Sequence, residues 1–369
     1  MSSTYPFNPD YAVPPGETLG ELIDERGMTQ NEVAIRTGLS RKTINEILSG
    51  KAPLTPDTAQ KLELVFQTPA RFWNEHERLY RQHIALKEHE KTLEEHRGWE
   101  KNFPYSELAA RQLVPATGNV LRRIWNLCGF FGISRPQAVD QIFADLTISG
   151  TLFRRQSITK SKPYLAWTWL RVAEIQARKI ESSAYREAEF VKCVRAVPGK
   201  TAEIRDSEGF DLFRSDMIES FRLAGVALVF VPEFSGAAIN GAAFWQAGRP
   251  VIALTLRGKR LDGIIFTLLH EAAHILHHGK KTTVIDAAIP SEAATGQKIE
   301  NEADRVASAW CIPDDCNEEI KSLRTADELD RLGGKIRVHR DLIIGRYARL
   351  TGDYRRFSSI KLRLEWKRA

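Results

Sequence analysis

His270-Glu271-Ala272-Ala273-His274 places two imidazoles four residues apart, with a carboxylate directly after the first. On a helix, residues four apart share one face, one turn above the other, so both rings can hold a single metal ion. Glu271 then projects beside the pair, where a carboxylate can take the proton of an attacking water. This is the physical content of the HExxH pattern of zinc hydrolases. Three fixed positions also arise by chance, and the alternative is a helix with histidines on its polar edge. The surroundings oppose that alternative. Ile264 to Leu269 precede the motif and Ile275-Leu276 follow it, so His and Glu would be buried at a cost without partners or a metal.

A third ligand is available downstream in Glu300-Asn301-Glu302-Ala303-Asp304, which opens a second helical segment running to Trp310. Glu300 and Glu302 are two apart and point to nearly opposite sides of a helix, so only one of them can serve. The stretch from Leu261 to Pro313 resembles the ImmA/IrrE family of metallopeptidases. The family's third ligand is the Glu of a Glu-Ala-(Asn/Asp) sequence, here Glu302-Ala303-Asp304. The resemblance therefore implies zinc on His270, His274 and Glu302, with Glu271 as the catalytic base.

The elements that must position these groups are legible in outline. The segment from Gly263 to Leu276 has no Pro or further Gly, and Asp262 can cap its start, which predicts a helix. Before it, Val226 to Val231, Ala237 to Trp245 and Val251 to Leu256 read as short strands. Val251 to Leu256 is expected to be an edge strand that holds a substrate peptide extended. After Pro313 come a charged helix to Leu332, a turn at Gly333-Gly334, and His339 leading into a last helix. His339 could assist an oxyanion, although a structural histidine is the stronger reading.

Composition narrows the class. The 369 residues allow two or three domains, and 43% hydrophobic with 27% charged residues is ordinary for a globular protein. The most apolar region, Val226 to Leu256, is broken by Pro232, Gly236, Gly241 and Pro250, so no membrane span is expected. The first residues lack a basic start and an apolar core, which argues against a signal peptide and for the cytoplasm. Four cysteines make no disulfide framework. The net charge of +6 hints at nucleic acid.

The front of the chain gives that hint a place. Thr29-Gln30-Asn31-Glu32 is a capping-box sequence. Its helix ends near Gly38, and Ser40 can cap Arg41-Lys42-Thr43-Ile44-Asn45-Glu46-Ile47-Leu48. Helix, glycine turn and helix make a helix-turn-helix. Ala34, Leu39, Ile44 and Ile47 form its expected core, and Arg41, Lys42, Thr43 and Asn45 face a DNA major groove. These residues, with Thr68-Pro69-Ala70-Arg71-Phe72-Trp73, resemble XRE-type repressor domains, and closely the HigA-like antitoxin branch. From Glu17 to Gln67 there are 6 basic and 8 acidic residues. Phosphate affinity of one module is thus modest, and a homodimer would strengthen it.

Glu75 to Lys101 is polar nearly all round and reads as a solvated connecting helix. Phe103 to Lys200 looks helical, with Trp125, Phe130, Phe131, Trp167 and Trp169 as core and Arg154, Arg155, Lys160 and Lys162 about a loop. The expected fold is α+β and mostly helical. It comprises a helix-turn-helix domain with its connecting helix (1–95), a helical support region (96–200) and a zincin-like peptidase domain with a small sheet (201–369). The function this implies is a DNA-binding transcriptional regulator fused to a zinc-dependent endopeptidase. Its partners would be operator DNA and a repressor or antitoxin-type protein substrate. The rival reading is a non-proteolytic, autoregulating HigA-like antitoxin that uses the peptidase fold as a sensor or partner-binding module.

Overall fold

The computed structural model describes residues 12–139, 141–142, 152–153, 163–237, 239–278, 284–287 and 294–365. The chain divides into two units, Met1–Arg97 and Gly98–Ala369. The expected boundary near residue 95 falls close to this division, but residues 98–200 belong to the same unit as the segment that follows.

Among the described residues the first unit holds five helices: α1 (Pro15–Glu25), α2 (Gln30–Thr37), α3 (Arg41–Leu48), α4 (Pro56–Phe66) and α5 (Ala70–Glu94). Local chemistry sets the turn between α2 and α3. The Thr29 hydroxyl accepts from the Glu32 amide, Gly38 ends α2 at φ 70°, and the Ser40 hydroxyl accepts from the Thr43 amide. The reciprocal half of the Thr29 capping box is replaced by another contact, because Glu32 pairs with Arg36 at 2.7 Å. Leu19, Val33, Ala34, Ile44, Ile47, Leu62, Phe66 and Trp73 form the core, with Leu39 at its margin. Gly16 is a close-approach glycine: an added Cβ would sit 2.0 Å from the Ile47 carbonyl oxygen.

The second unit is built on a five-stranded sheet in the order β1-β5-β3-β4-β2. In chain order its elements are α6 (Tyr105–Ala110), α7 (Val120–Phe131), β1 (Leu152–Phe153), α8 (Pro163–Arg178), α9 (Glu187–Lys200), α10 (Ser207–Leu223), β2 (Ala227–Phe230), β3 (Ile239–Gln246) and β4 (Arg249–Leu254). There follow α11 (Leu261–His277), β5 (Val284–Ala287), α12 (Ala294–Cys311), α13 (Asn317–Ser322), α14 (Ala326–Ile336) and α15 (Arg340–Thr351). Side chains alternate across a strand, and here both faces are buried. Leu228, Ala243, Ile252 and Leu254 join a core with α9, α10, α11, α14 and α15. Val229, Ala242, Phe244, Val251 and Ala253 join a second core with Phe103, Leu127, Phe131, Trp167 and Trp169. Within the middle region α6, α7 and α8 therefore cover one face of the sheet, while α9 packs on the other.

Several expectations change. β4 pairs with β3 antiparallel and with β2 in parallel, so Val251 to Leu254 lie inside the sheet and not at its edge. Gly333 and Gly334 continue α14 in place of making a turn, and the left-handed residue comes later, at Arg337. Asp262 does not cap α11; the N-cap is Arg260, and the Asp262 carboxylate accepts from Lys361 at 2.5 Å. Trp125 is 40% exposed. Arg154, Arg155, Lys160 and Lys162 lie outside the described residues. Among the described residues no helix is long and apolar enough to cross a membrane.

Candidate metal centre and helix-turn-helix surface

α11 has an apolar side that anchors it: Leu261, Ile264, Ile265, Leu268, Leu269, Ala272 and Ile275 enter the core beneath the sheet. That anchoring fixes the rotation of the helix, and with it the direction of the motif. His270, Glu271 and His274 are all but fully buried, at 1%, 0% and 2% exposure. The Nε2 atoms of His270 and His274 lie 2.9 Å apart. Glu300, on α12, brings Oε2 to 3.3 Å from His270 Nε2 and Oε1 to 3.5 Å from His274 Nε2.

These separations allow a test of fit. Atoms bound to one tetrahedral zinc at about 2.0–2.2 Å stand roughly 3.3–3.6 Å from one another. The three side chains match that spacing, with the two imidazoles slightly closer. The Glu300 oxygens are buried and accept no hydrogen bond among the described residues, a costly state for a carboxylate that a cation between them and the rings would relieve. The donor set, two imidazoles and one carboxylate, suits zinc.

The structure thus brings Glu300, not Glu302, to the histidines. Glu302 lies on the other side of α12, with its side chain 48% exposed and Oε2 3.6 Å from His278 Nε2. The physical reason is helix phase, since two residues rotate a side chain by roughly 200°. Of the four residues expected to make the site, His270, Glu271 and His274 converge and Glu302 stands in an outer layer.

That outer layer contains residues the sequence reading did not single out. His270 Nδ1 lies 3.0 Å from Asp304 Oδ1, and His274 Nδ1 lies 2.9 Å from His278 Nδ1. A carboxylate on the far nitrogen of a ligating histidine fixes its tautomer and its ring plane. Arg349 stands 4.0 Å from the second Asp304 oxygen and over the Phe266 ring. The signal for these residues was present: His278 follows His274 by four, and Asp304 follows Glu300 by four. Burial works against charge on His270, but the bond to Asp304, then Glu300 and the nearby Glu271 charge, raise its pKa to about 10. The pocket attracts a cation.

Gly241 of β3 explains how Glu271 is seated. A Cβ there would meet Thr267 Cγ2 at 2.7 Å and Glu271 Oε1 at 3.0 Å, so the strand approaches α11 only because residue 241 has no side chain. The register of β3 against β5 shifts between Ile239 and Gly241, which re-aims the strand at this point. His339 has a different task. Its Nδ1 accepts from the Asp341 amide and caps α15, and burial, then the Arg340 and Arg205 charges, lower its pKa to about 4.

In the first unit, α3 buries Ile44 and Ile47 and presents Arg41, Lys42 and Asn45 to solvent. Thr43 is half-buried and its hydroxyl lies 2.8 Å from Ser40 Oγ, which makes it part of the cap. Lys42 leans toward Glu46 at 3.8 Å.

Comparison with known proteins agrees with both halves. A helix-turn-helix family matches residues 19–73, and a family described as the IrrE N-terminal-like domain, a peptidase M78 group, matches residues 226–340. An uncharacterized HTH-type transcriptional regulator, YddM of Escherichia coli (strain K12), is 31% identical over 80 residues, which is 22% of this chain and 81% of that protein. Among solved structures, an addiction module antidote protein of the HigA family from Coxiella burnetii is 32% identical. The match covers 22% of this chain and 91% of that one, with a TM-score of 0.21. A putative antidote protein of a plasmid maintenance system from Nostoc punctiforme is 25% identical over 23% and 92% of the two chains, with a TM-score of 0.22.

Proposed function

We propose that this chain, which carries an XRE-type helix-turn-helix domain and an IrrE/ImmA-like M78 peptidase-family domain, is a DNA-bound regulator that acts by hydrolysing a protein. The observation that carries the reading is the convergence of His270, His274 and Glu300, whose ligand atoms all lie within 4.8 Å of one another, with Glu271 on the same helix. His270, His274 and Glu300 would hold a zinc ion, which supplies a Lewis acid to polarise a peptide carbonyl. Glu271 accepts the proton of the attacking water on a carboxylate oxygen and returns it to the leaving amine nitrogen. Asp304 and His278 keep the two imidazoles in register, and Gly241 lets Glu271 stand close to β3.

The helix-turn-helix unit would carry the activity to an operator through Arg41, Lys42 and Asn45. The substrate class that fits such a fusion is a repressor or antitoxin-type protein bound to the same DNA. The decisive variant is Glu271→Gln, which keeps the shape of the side chain and removes the base. It should retain zinc and fold, and lose cleavage of the neighbouring regulator by about 10²–10⁴-fold. Cleavage at the parental rate would overturn the mechanism. Unchanged gene regulation in cells carrying the variant would make the chain a sensor in place of a protease.

A further inference from the structure

Away from the metal ligands, the second unit contains a cavity of about 770 Å³ where α14, the start of α15 and residues 360–363 meet. Its charge is one-sided. Arg205, Arg337, Arg340, Lys361 and Arg363 line it, against the single carboxylate of Asp330. Arg340 stands 3.5 Å from Asp330, and Lys361 is held by Asp262. Arg205, Arg337 and Arg363 have no carboxylate within ion-pair distance among the described residues. A folded chain left to itself mixes signs on its surface, because clustered like charges repel. Arg205, Arg337 and Arg363 are solvent-exposed around one concavity, Arg205 also donating to the Ala202 and Ile204 carbonyls, and an anionic ligand there would meet positive charge with no carboxylate competing for it.

Two further features point the same way. α15, twelve residues long, begins at the cavity wall and turns the positive end of its dipole toward it. His339, on the same wall, is kept neutral by burial and then by the positive charges of Arg340 and Arg205. The volume lies in the range that encloses a small molecule, about 300–1,000 Å³, and the site is concave. A flat basic stripe would suit a nucleic-acid backbone better.

We infer that this cavity binds a small molecule bearing clustered phosphates, of the size of a nucleoside di- or triphosphate. Guanidinium groups match phosphate oxygens two at a time, so Arg337 and Arg363 supply forked contacts. The site is separate from the metal centre and stands or falls without the proposed peptidase activity.

The test is calorimetric titration of the full chain with ATP, with inorganic pyrophosphate and with adenosine. Both phosphate compounds should bind saturably and adenosine should not. Because polyphosphates also chelate metals, the titration is repeated on Glu300→Gln, where binding should persist; its loss would move the site to the metal centre and overturn the inference. Arg337→Asn, which tolerates the left-handed backbone at that position, combined with Arg363→Ala should weaken ATP at least about tenfold. Arg178→Ala, an exposed cation elsewhere, should leave it unchanged. Circular dichroism checks folding, and Arg205→Ala replaces the double variant if that fails. Absence of saturable binding by the parent, or parental affinity in the cavity variant, overturns the proposal. So does a cavity variant that loses duplex DNA but keeps ATP.

Discussion

A graded set of carboxylate variants tests the geometry of the centre most directly. Glu300, Asp304 and Glu302 lie on one helix, yet they stand respectively against the ligand nitrogens, behind His270, and at the edge near His278. Zinc sites with four protein ligands bind with about 10–16 kcal/mol, so one ligand's share is roughly 2.5–4 kcal/mol, or about 10²–10³ in affinity. Glu300→Gln keeps the shape and removes a buried charge, so it should weaken zinc by about that factor without unfolding the unit. Asp304→Asn loses only the acceptor that orients His270, for which about 10–100-fold is usual. Glu302→Gln changes a half-exposed group that touches no ligand directly, and its effect should stay within about threefold, as expected of a screened surface charge. Competition with a chromophoric zinc chelator at neutral pH measures all three. The order Glu300, Asp304, Glu302 is the prediction. Loss of zinc in Glu302→Gln with retention in Glu300→Gln would refute the placement, since no side-chain rotation could exchange residues on opposite sides of α12.

Other consequences are as direct. Arg41→Ala and Asn45→Ala should each weaken operator binding about tenfold in fluorescence anisotropy, because both are exposed on α3 and able to reach base edges. Parental affinity in both would show that the module contacts protein. Gly241→Ala should push Glu271 out of line and lower peptidase activity about 10²-fold, while metal analysis still finds zinc. His339→Asn keeps an N-cap for α15 but cannot protonate. His339 titrates at about 4 in the folded chain against 6.5 ordinarily. Its stabilising contribution is therefore complete above pH 6.5 and is lost as pH falls toward 4, amounting to about 1–2 kcal/mol after allowance for partial exposure. Asp341, raised to about 6, chiefly by burial, acts in the opposite sense. Urea midpoints at pH 7 and pH 5 should differ less in His339→Asn than in the parent, and an equal difference would clear His339 of the effect.

The metal centre was half legible in the sequence, and the reason is periodicity. His270, Glu271 and His274 follow from a four-residue spacing inside an apolar helix, and any correct fold must bring the two rings together. The third ligand did not follow, because Glu300 and Glu302 differ only in phase, and the sequence alone left that phase open. A purely local rule was nevertheless available. Glu300 and Asp304 share a face as His270 and His274 do, so two four-residue pairs on adjacent helices offer two ligand–partner contacts at once. Glu302 has Val306 at that spacing, which can orient nothing. Gly333-Gly334 failed for the opposite reason: local propensity favoured a turn, but the Val338 carbonyl comes within 3.0 Å of where a Gly333 side chain would be. Tertiary contact selected glycine inside a helix.

The sheet carries the same lesson at the level of layers. A strand with one face in solvent alternates apolar and polar residues, whereas Val226 to Val231 and Val251 to Leu254 are apolar without interruption. Such runs require cover on both faces; β4 also pairs with a strand on each side, β3 and β2, and it is the equally apolar β2 that ends the sheet. Cover on the second face must come from somewhere, and among the described residues aromatic-rich helices in residues 98–200 supply it. Phe131 stacked on Trp167 at 4.4 Å, with Trp169 donating to the Val231 carbonyl, is that cover. The consequence reaches the chemistry. β3 is pressed from behind by this layer and from the front meets α11 at Gly241, so the position of Glu271 depends on packing contributed a hundred residues upstream. Substitutions in the Phe131–Trp167 stack should therefore alter catalysis before they alter zinc binding.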